Sequence, residues 1–175
     1  LRDLRITMKI GSLDNMRTPD VNLAPSFILM MGEEYHRVFG DNLDCLMIHW
    51  DNRDNASEIG ASLQALASLQ RDAGIRPGLS GIKHSDIYHQ ANESVGLSFD
   101  IQLKHNVLQS DFERYTPFLQ TTRSTIPQPV NRFFAYGINA GGVKLDAHYE
   151  PGSVFLARGG QPDKVAGMLE RIRSL

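Results

Sequence analysis

The stretch that decides the fold is Leu43-Asp44-Cys45-Leu46-Met47-Ile48-His49-Trp50, an apolar run that ends in a histidine and a tryptophan. Polar residues bound the run on both sides, so its length and composition predict a buried strand. Parallel sheets and barrels present their catalytic groups at the carboxyl ends of such strands. His49 stands at that end and is therefore a candidate catalytic residue.

A second predicted strand, residues 4–10, carries Lys9 near its carboxyl end. Because the carboxyl ends of parallel strands lie at one edge of a sheet, the two side chains are expected to lie close together. A lysine and a histidine placed in this way form a candidate catalytic pair. Without further information, each has an alternative structural explanation: Lys9 as a solvated strand-end lysine, and His49 as a hydrogen-bonded core histidine.

Composition narrows the class of protein. The chain has 175 residues, 41% of them hydrophobic, which suits one packed domain over residues 1–175. The net charge of −2 and a pI near 6.3 argue against nucleic acid as a partner. No apolar run approaches the roughly 20 residues of a membrane span, and no signal peptide opens the chain. The single cysteine, Cys45, lies inside the predicted buried strand, which favours a cytoplasmic protein.

Strands and helices alternate along the chain. Strands are predicted at residues 4–10, 43–50, 75–80, 97–103, 132–136 and 153–156, and helices at 24–39, 56–73, 85–95, 111–119 and 162–172. This alternation indicates a parallel sheet or a (β/α) barrel. The glycine-rich turns typical of a doubly wound nucleotide-binding sheet are absent, which favours the barrel. The expected fold is therefore a (β/α)8 TIM barrel, of which about six of the eight strand-helix units are represented.

An ordered set of short motifs connects the chain to a known family. Thr7–Gly11, Asn42–Trp50, Ala73–Ser80, Asp100–Leu103, Phe133–Gly142 and Val154–Leu169 are similar to the third to eighth strands of one barrel family. In this order they resemble the aldo-keto reductases, in the form found in the aflatoxin-aldehyde reductase branch. These enzymes are NADPH-dependent (β/α)8 barrels that reduce an aldehyde or a ketone to an alcohol by hydride transfer.

The resemblance implies a catalytic role for both strand-end residues. Lys9 corresponds to the lysine whose charge lowers the pKa of a proton-donating tyrosine, and His49 to the histidine that orients and polarises the carbonyl. In the family the tyrosine and a supporting aspartate belong to a region before the third strand, where the resemblance begins. No tyrosine of this chain matches that acid, so the sequence is expected to be either part of a longer protein or a truncated relative. An open sheet of six strands would expose apolar edges, which favours the longer protein.

The resemblance also assigns binding residues. Those assigned to NADP(H) are Ser80 and Gln102 at the nicotinamide carboxamide, Tyr136 stacked on its ring, and Arg158 and Lys164 at the 2′-phosphate. Trp50 would line the pocket that binds the small-molecule carbonyl substrate. Two positions depart from the family: Gly81 stands where asparagine is usual, and Asp51 where proline is common. The histidines have no recognisable metal-ligand spacing, so no metal is predicted.

The sequence is also compatible with two other functions. The first is a non-catalytic relative, a nucleotide-binding or regulatory subunit that lacks the acid. The second is a metal-free isomerase that uses Lys9 to form a Schiff base. The sequence is compatible with an oligomer as well as with a monomer.

Overall fold

The fold is known from a computed structural model, which describes residues 4–11, 22–106, 109–119, 130–138, 142, 144, 146–157 and 159–174. The strands are β1 (Ile6–Gly11), β2 (Leu43–His49), β3 (Arg76–Ser80), β4 (Asp100–Lys104) and β5 (Arg132–Tyr136). The helices are α1 (Pro25–Phe39), α2 (Ala56–Ala73), α3 (Ser85–Asn92), α4 (Val154–Ala157) and α5 (Pro162–Arg173), and short 3-10 helices span Gly40–Asn42 and Phe112–Leu119. None of the helices in these ranges is long and apolar enough to cross a membrane.

The strands form one parallel sheet in sequential order, β1-β2-β3-β4-β5. Residue contacts divide the chain into two compact units, which are Leu1–Gln102 with Arg114–Phe134 (unit 1) and Leu103–Glu113 with Ala135–Leu175 (unit 2). Unit 1 holds β1 to β3, the first three residues of β4 and of β5, and helices α1 to α3. The predicted α/β class is confirmed by this alternation of parallel strands and helices.

In unit 1, the crossover helices lie side by side. Helix α1 packs on α2, and α2 packs on α3. Because crossovers between parallel strands are right-handed, sequential strand order places all three helices on one face of the sheet. The sheet residues that alternate toward this face are apolar, as in Leu46, Ile48 and Leu79 of β2 and β3, all fully buried.

Local signals bound α2 where the sequence predicts, whereas α3 ends at Asn92, three residues before the predicted end at residue 95. Asn55 caps α2, because its Oδ1 accepts hydrogen bonds from the backbone N–H groups of Ser57 and Glu58 at 3.0 and 3.2 Å. Gly74 ends the same helix in the left-handed conformation, with φ of +69°. Strand β4 begins three residues later than predicted. Leu97 is held at the end of α3, where its N–H and C=O both bond the Asn92 side chain.

An ion-pair cluster joins the amino ends of the strands in unit 1. Asp100 is buried and accepts hydrogen bonds from Arg76, with Nη2 at 2.9 Å, and from Arg132, with Nη2 at 2.5 Å. Burial alone would raise the pKa of Asp100, but the two guanidinium groups hold it below its ordinary value. This cluster lies at the opposite end of the strands from His49, where it stabilises the sheet rather than forms part of the site.

The predicted strand at residues 153–156 is wrong, because the structure has helix α4 there. Ser153 begins the helix, accepting the backbone N–H of Ala157 at its carbonyl oxygen. Phe155 is buried with Val165 and Leu169 of α5, and its ring stacks on Tyr149 at 4.1 Å. A four-residue apolar run carries no usable periodicity, so its pattern does not distinguish a strand from one helical turn.

Candidate active site

Four residues form a row across the carboxyl edge of the sheet in unit 1. Register pairs Gly11 of β1 with His49 of β2, His49 with Ser80 of β3, and Ser80 with Gln102 of β4. Paired residues of neighbouring strands point to the same face, so His49, Ser80 and Gln102 share the face opposite the helices. The sequence predicts this convergence of strand ends, and the register places three of the candidate side chains in one line.

Lys9 reaches the same site from two residues further back on β1. It pairs with Met47, which lies two residues before His49, so Lys9 and His49 also share a face. The Lys9 Nζ atom donates a hydrogen bond to Ser80 Oγ at 3.4 Å, bridging from β1 to β3 over the intervening β2. Lys9, His49 and Ser80 are therefore assembled by three separate strands. Ser80 is fully buried, whereas part of the Lys9 side chain is exposed to solvent.

Electrostatics keep the histidine neutral. Partial burial, together with the positive charge of Lys9, lowers the pKa of His49 from 6.5 to about 4. Burial also lowers the pKa of Lys9 from its ordinary value, with a smaller opposing effect from Cys45. At neutral pH the site thus presents a neutral imidazole beside an ammonium group. A neutral imidazole retains one N–H donor, which suits it to polarise a carbonyl oxygen.

Trp50 packs directly on the histidine. The two rings stack with centroids 4.2 Å apart and planes inclined by 26°. Trp50 adopts φ of +58°, in the left-handed region that bulky residues rarely occupy. Gly81 makes room for it, because a Cβ atom at this glycine would lie 2.4 Å from Trp50 Cδ1. Glycine at position 81 therefore has a steric reason in this chain.

A buried charged network supports the loop after β2, and the sequence prediction missed it. Asp51 is fully buried and accepts hydrogen bonds from the Arg53 backbone N–H at 3.0 Å and from Arg53 Nε at 2.9 Å. The Tyr88 hydroxyl also donates to the Asp51 carboxylate. Arg53 Nη1 in turn donates to Ser62 Oγ at 3.0 Å. The one signal in the sequence was an acidic residue immediately after an apolar strand and beside Trp50.

Tyr115 is a second residue near the site that the sequence did not single out. Its side chain is buried, and its hydroxyl accepts the backbone N–H of Gly81 at 2.9 Å. The residue reaches the loop after β3 from the 3-10 helix at Phe112–Leu119, 34 residues along the chain. No local pattern links such distant positions, so only the folded chain reveals the contact.

Of the other predicted cofactor residues, Tyr136 and Lys164 belong to unit 2. Tyr136 ends β5 in unit 2 with 42% of its surface exposed, and Lys164 is exposed on α5 of the same unit. Arg158 lies outside the described residues. The structure thus assembles Lys9, His49, Trp50, Ser80 and Gln102 in unit 1, and their roles remain predictions. The chain matches no protein-family model and no curated protein sequence.

Proposed function

We propose that this chain carries the lysine and histidine of an NADPH-dependent aldo-keto reductase that reduces an aldehyde or a ketone to an alcohol. The observation that supports it best is the convergence of Lys9, His49 and Ser80 from three parallel strands at one edge. The proposed architecture is a (β/α)8 barrel. Sequential strand order with all three crossover helices of unit 1 on one face supports a singly wound barrel over a doubly wound sheet.

The proposed roles of His49 and Lys9 in the reaction follow from their charges. When bound, NADPH supplies the hydride that is added to the carbonyl carbon. His49, neutral at physiological pH, donates a hydrogen bond to the carbonyl oxygen and orients it. A neighbouring acid transfers its proton to the substrate oxygen, which completes the alcohol. Lys9 contributes a positive charge that favours the ionised form of this acid and stabilises negative charge developing on the substrate oxygen.

The cofactor fits the polar side chains at the carboxyl edge. Ser80 has a buried hydroxyl in register with the half-buried amide of Gln102, and both are suited to a carboxamide group. Gly81 lacks a side chain that could add a third hydrogen bond, and the indole of Trp50 lies beside it. Ser80 and Gln102 are therefore the proposed nicotinamide-binding residues, while Tyr136, Arg158 and Lys164 are proposed for the ring and 2′-phosphate on family resemblance alone.

The test is turnover by a matched pair of lysine variants. Lys9→Met is expected to lower kcat for carbonyl reduction by about 10²- to 10⁴-fold, because it removes the charge beside the reacting oxygen. Lys144→Met makes the same chemical change at an exposed lysine that has no role in the candidate site, and is expected to leave kcat unchanged. The assay follows NADPH consumption with a panel of aldehydes and ketones. Equal activity in the wild-type protein and Lys9→Met would contradict the proposal.

The second candidate is a nucleotide-binding subunit without catalysis. It is favoured by the engagement of two tyrosines in unit 1: the hydroxyl of Tyr88 bonds the Asp51 carboxylate, and that of Tyr115 accepts the Gly81 N–H. This candidate predicts that NADPH changes the fluorescence of Trp50, the single tryptophan of the chain, without turnover of any carbonyl tested. Borohydride trapping of a covalent adduct at Lys9 would instead support the Schiff-base isomerase.

A further inference from the structure

The backbone of Trp50 adopts a left-handed conformation, which is unfavourable for a tryptophan. A left-handed φ of +58° is costly for a bulky side chain and persists only where surrounding contacts hold it. Two backbone hydrogen bonds join this loop to the segment after β3. Trp50 N–H donates to Ser80 C=O at 2.9 Å, and Lys83 N–H donates to Asp51 C=O at 2.8 Å. These bonds fix the main chain on each side of the Trp50 carbonyl.

The side chain of Asp51 provides the third attachment. Its carboxylate is fully buried, and such a charge is stable only when it is paired and hydrogen-bonded. Arg53 pairs with it from the segment before α2, with Nη2 at 2.9 Å from Oδ2, and Tyr88 donates to it from α3. Arg53 also bonds Ser62 of α2, whose hydroxyl donates to the carbonyl of Leu23 at 2.7 Å. The residue after Trp50 is thus anchored to two helices.

The indole of Trp50 occupies a space that one glycine leaves open. Gly81 has φ of +67°, and its missing Cβ would lie 2.4 Å from Cδ1 and 3.1 Å from Nε1 of the indole. The indole also stacks on the imidazole of His49, with ring centroids 4.2 Å apart. The ring therefore contacts the imidazole and occupies the space left open at Gly81.

We infer that Asp51 is a positioning residue, which through Arg53 and Tyr88 holds Trp50 in the conformation that stacks its indole on His49. Gly81 provides the slot that admits the ring. The consequence for catalysis rests on the proposed function, because it treats His49 as the group that orients the carbonyl. With Trp50 held in place, the imidazole keeps one orientation toward the substrate.

The test uses Trp50 as its own reporter, since it is the single tryptophan of the chain. The variants are Asp51→Asn and Gly81→Ala. The matched control is Asp100→Asn, which neutralises another buried, arginine-paired aspartate at the other end of the strands. Emission wavelength, acrylamide quenching and near-ultraviolet circular dichroism are recorded on folded, ligand-free protein. Both site variants are expected to shift the emission to longer wavelength and increase quenching. Asp100→Asn is expected to leave the Trp50 signals unchanged.

A milder variant keeps the test decisive if Asp51→Asn does not fold. Tyr88→Phe removes one hydrogen bond to the carboxylate and keeps the ring, so we expect a smaller shift in the same direction. The inference is overturned if folded Asp51→Asn, or in its place Tyr88→Phe, leaves the emission and quenching of Trp50 at the wild-type values. It is also overturned if Asp100→Asn alters them equally.

Turnover then separates this inference from the proposed function. In the reductase, Asp51→Asn is expected to lower kcat by up to about 10²-fold with a smaller change in the KM for NADPH, because misplacement of a positioning group acts on the chemical step. A wild-type protein without carbonyl reductase activity contradicts the proposed function. The fluorescence results on ligand-free protein still decide whether Asp51 positions Trp50.

Discussion

Two glycines in neighbouring helices provide a sharp test of how α1 and α2 pack. Gly32 of α1 is buried, and a Cβ atom there would lie 2.4, 2.7 and 3.1 Å from Cδ1, Cδ2 and Cγ of Leu69 in α2. Gly60 of α2 has no atom within 4 Å of the equivalent position. The same substitution, glycine to alanine, therefore meets a neighbouring helix at one site and open space at the other.

The expected energies follow from these distances. Alanine in a helix interior is more stable than glycine by about 0.5 to 1 kcal/mol, so Gly60→Ala should stabilise the protein by that amount. Gly32→Ala gains the same helix propensity but overpacks a core contact, which costs about 1 to 3 kcal/mol. Since the propensity contribution cancels, the two unfolding free energies should differ by about 1 to 3 kcal/mol, with Gly32→Ala the less stable.

Urea unfolding followed by circular dichroism measures both variants, with equal m-values required for the comparison. Truncation of the neighbour identifies the contact. In Leu69→Ala protein, the added methyl group at position 32 should be tolerated and should fill part of the cavity, which gives a favourable coupling energy of about 1 to 2 kcal/mol in the double-mutant cycle. Equal stability of Gly32→Ala and Gly60→Ala, or a coupling energy near zero, would refute the packing of α1 on α2 and weaken the support for a singly wound barrel.

Two further predictions concern a titration and a helix cap. His49 has a pKa of about 4 in the folded protein and 6.5 as its ordinary value, so the unfolded chain binds its proton first as the pH falls. Its contribution to stability is therefore complete above pH 6.5 and is lost as the pH falls toward 4. The difference in unfolding free energy between the wild type and His49→Gln should change across this pH range. A difference that stays constant would contradict the pKa of about 4 for His49. Asn55→Ala should destabilise the protein by about 1 kcal/mol, because the first turn of α2 loses two hydrogen bonds. Thermal unfolding measures this loss, and Asn55→Ser should recover most of it, whereas equal melting of Asn55→Ala and the wild type would contradict the capping role.

Local chemistry explains why the elements of unit 1 were predictable. The apolar run ending at His49 is β2, and the periodic segment at Ala56–Ala73 is α2, with Asn55 and Gly74 at its ends. Each of these signals acts over one or two turns of chain, so neighbouring residues are enough to determine it. The run at residues 153–156 was too short for its period to be recognised. In the structure this run is helical, and its Phe155 is buried in unit 2.

The sequence by itself determined that strands alternate with helices and that Lys9 and His49 lie near the carboxyl ends of two predicted strands. Parallel pairing makes strand ends converge, so the pairing of Lys9 with His49 followed from the pattern, whereas Ser80 and Gln102 were assigned by the family resemblance. Only the tertiary structure decided the register that aligns His49 with Ser80, and the buried partners of Asp51. Register and burial depend on contacts between residues far apart in the chain, and such contacts leave no periodic trace in the sequence.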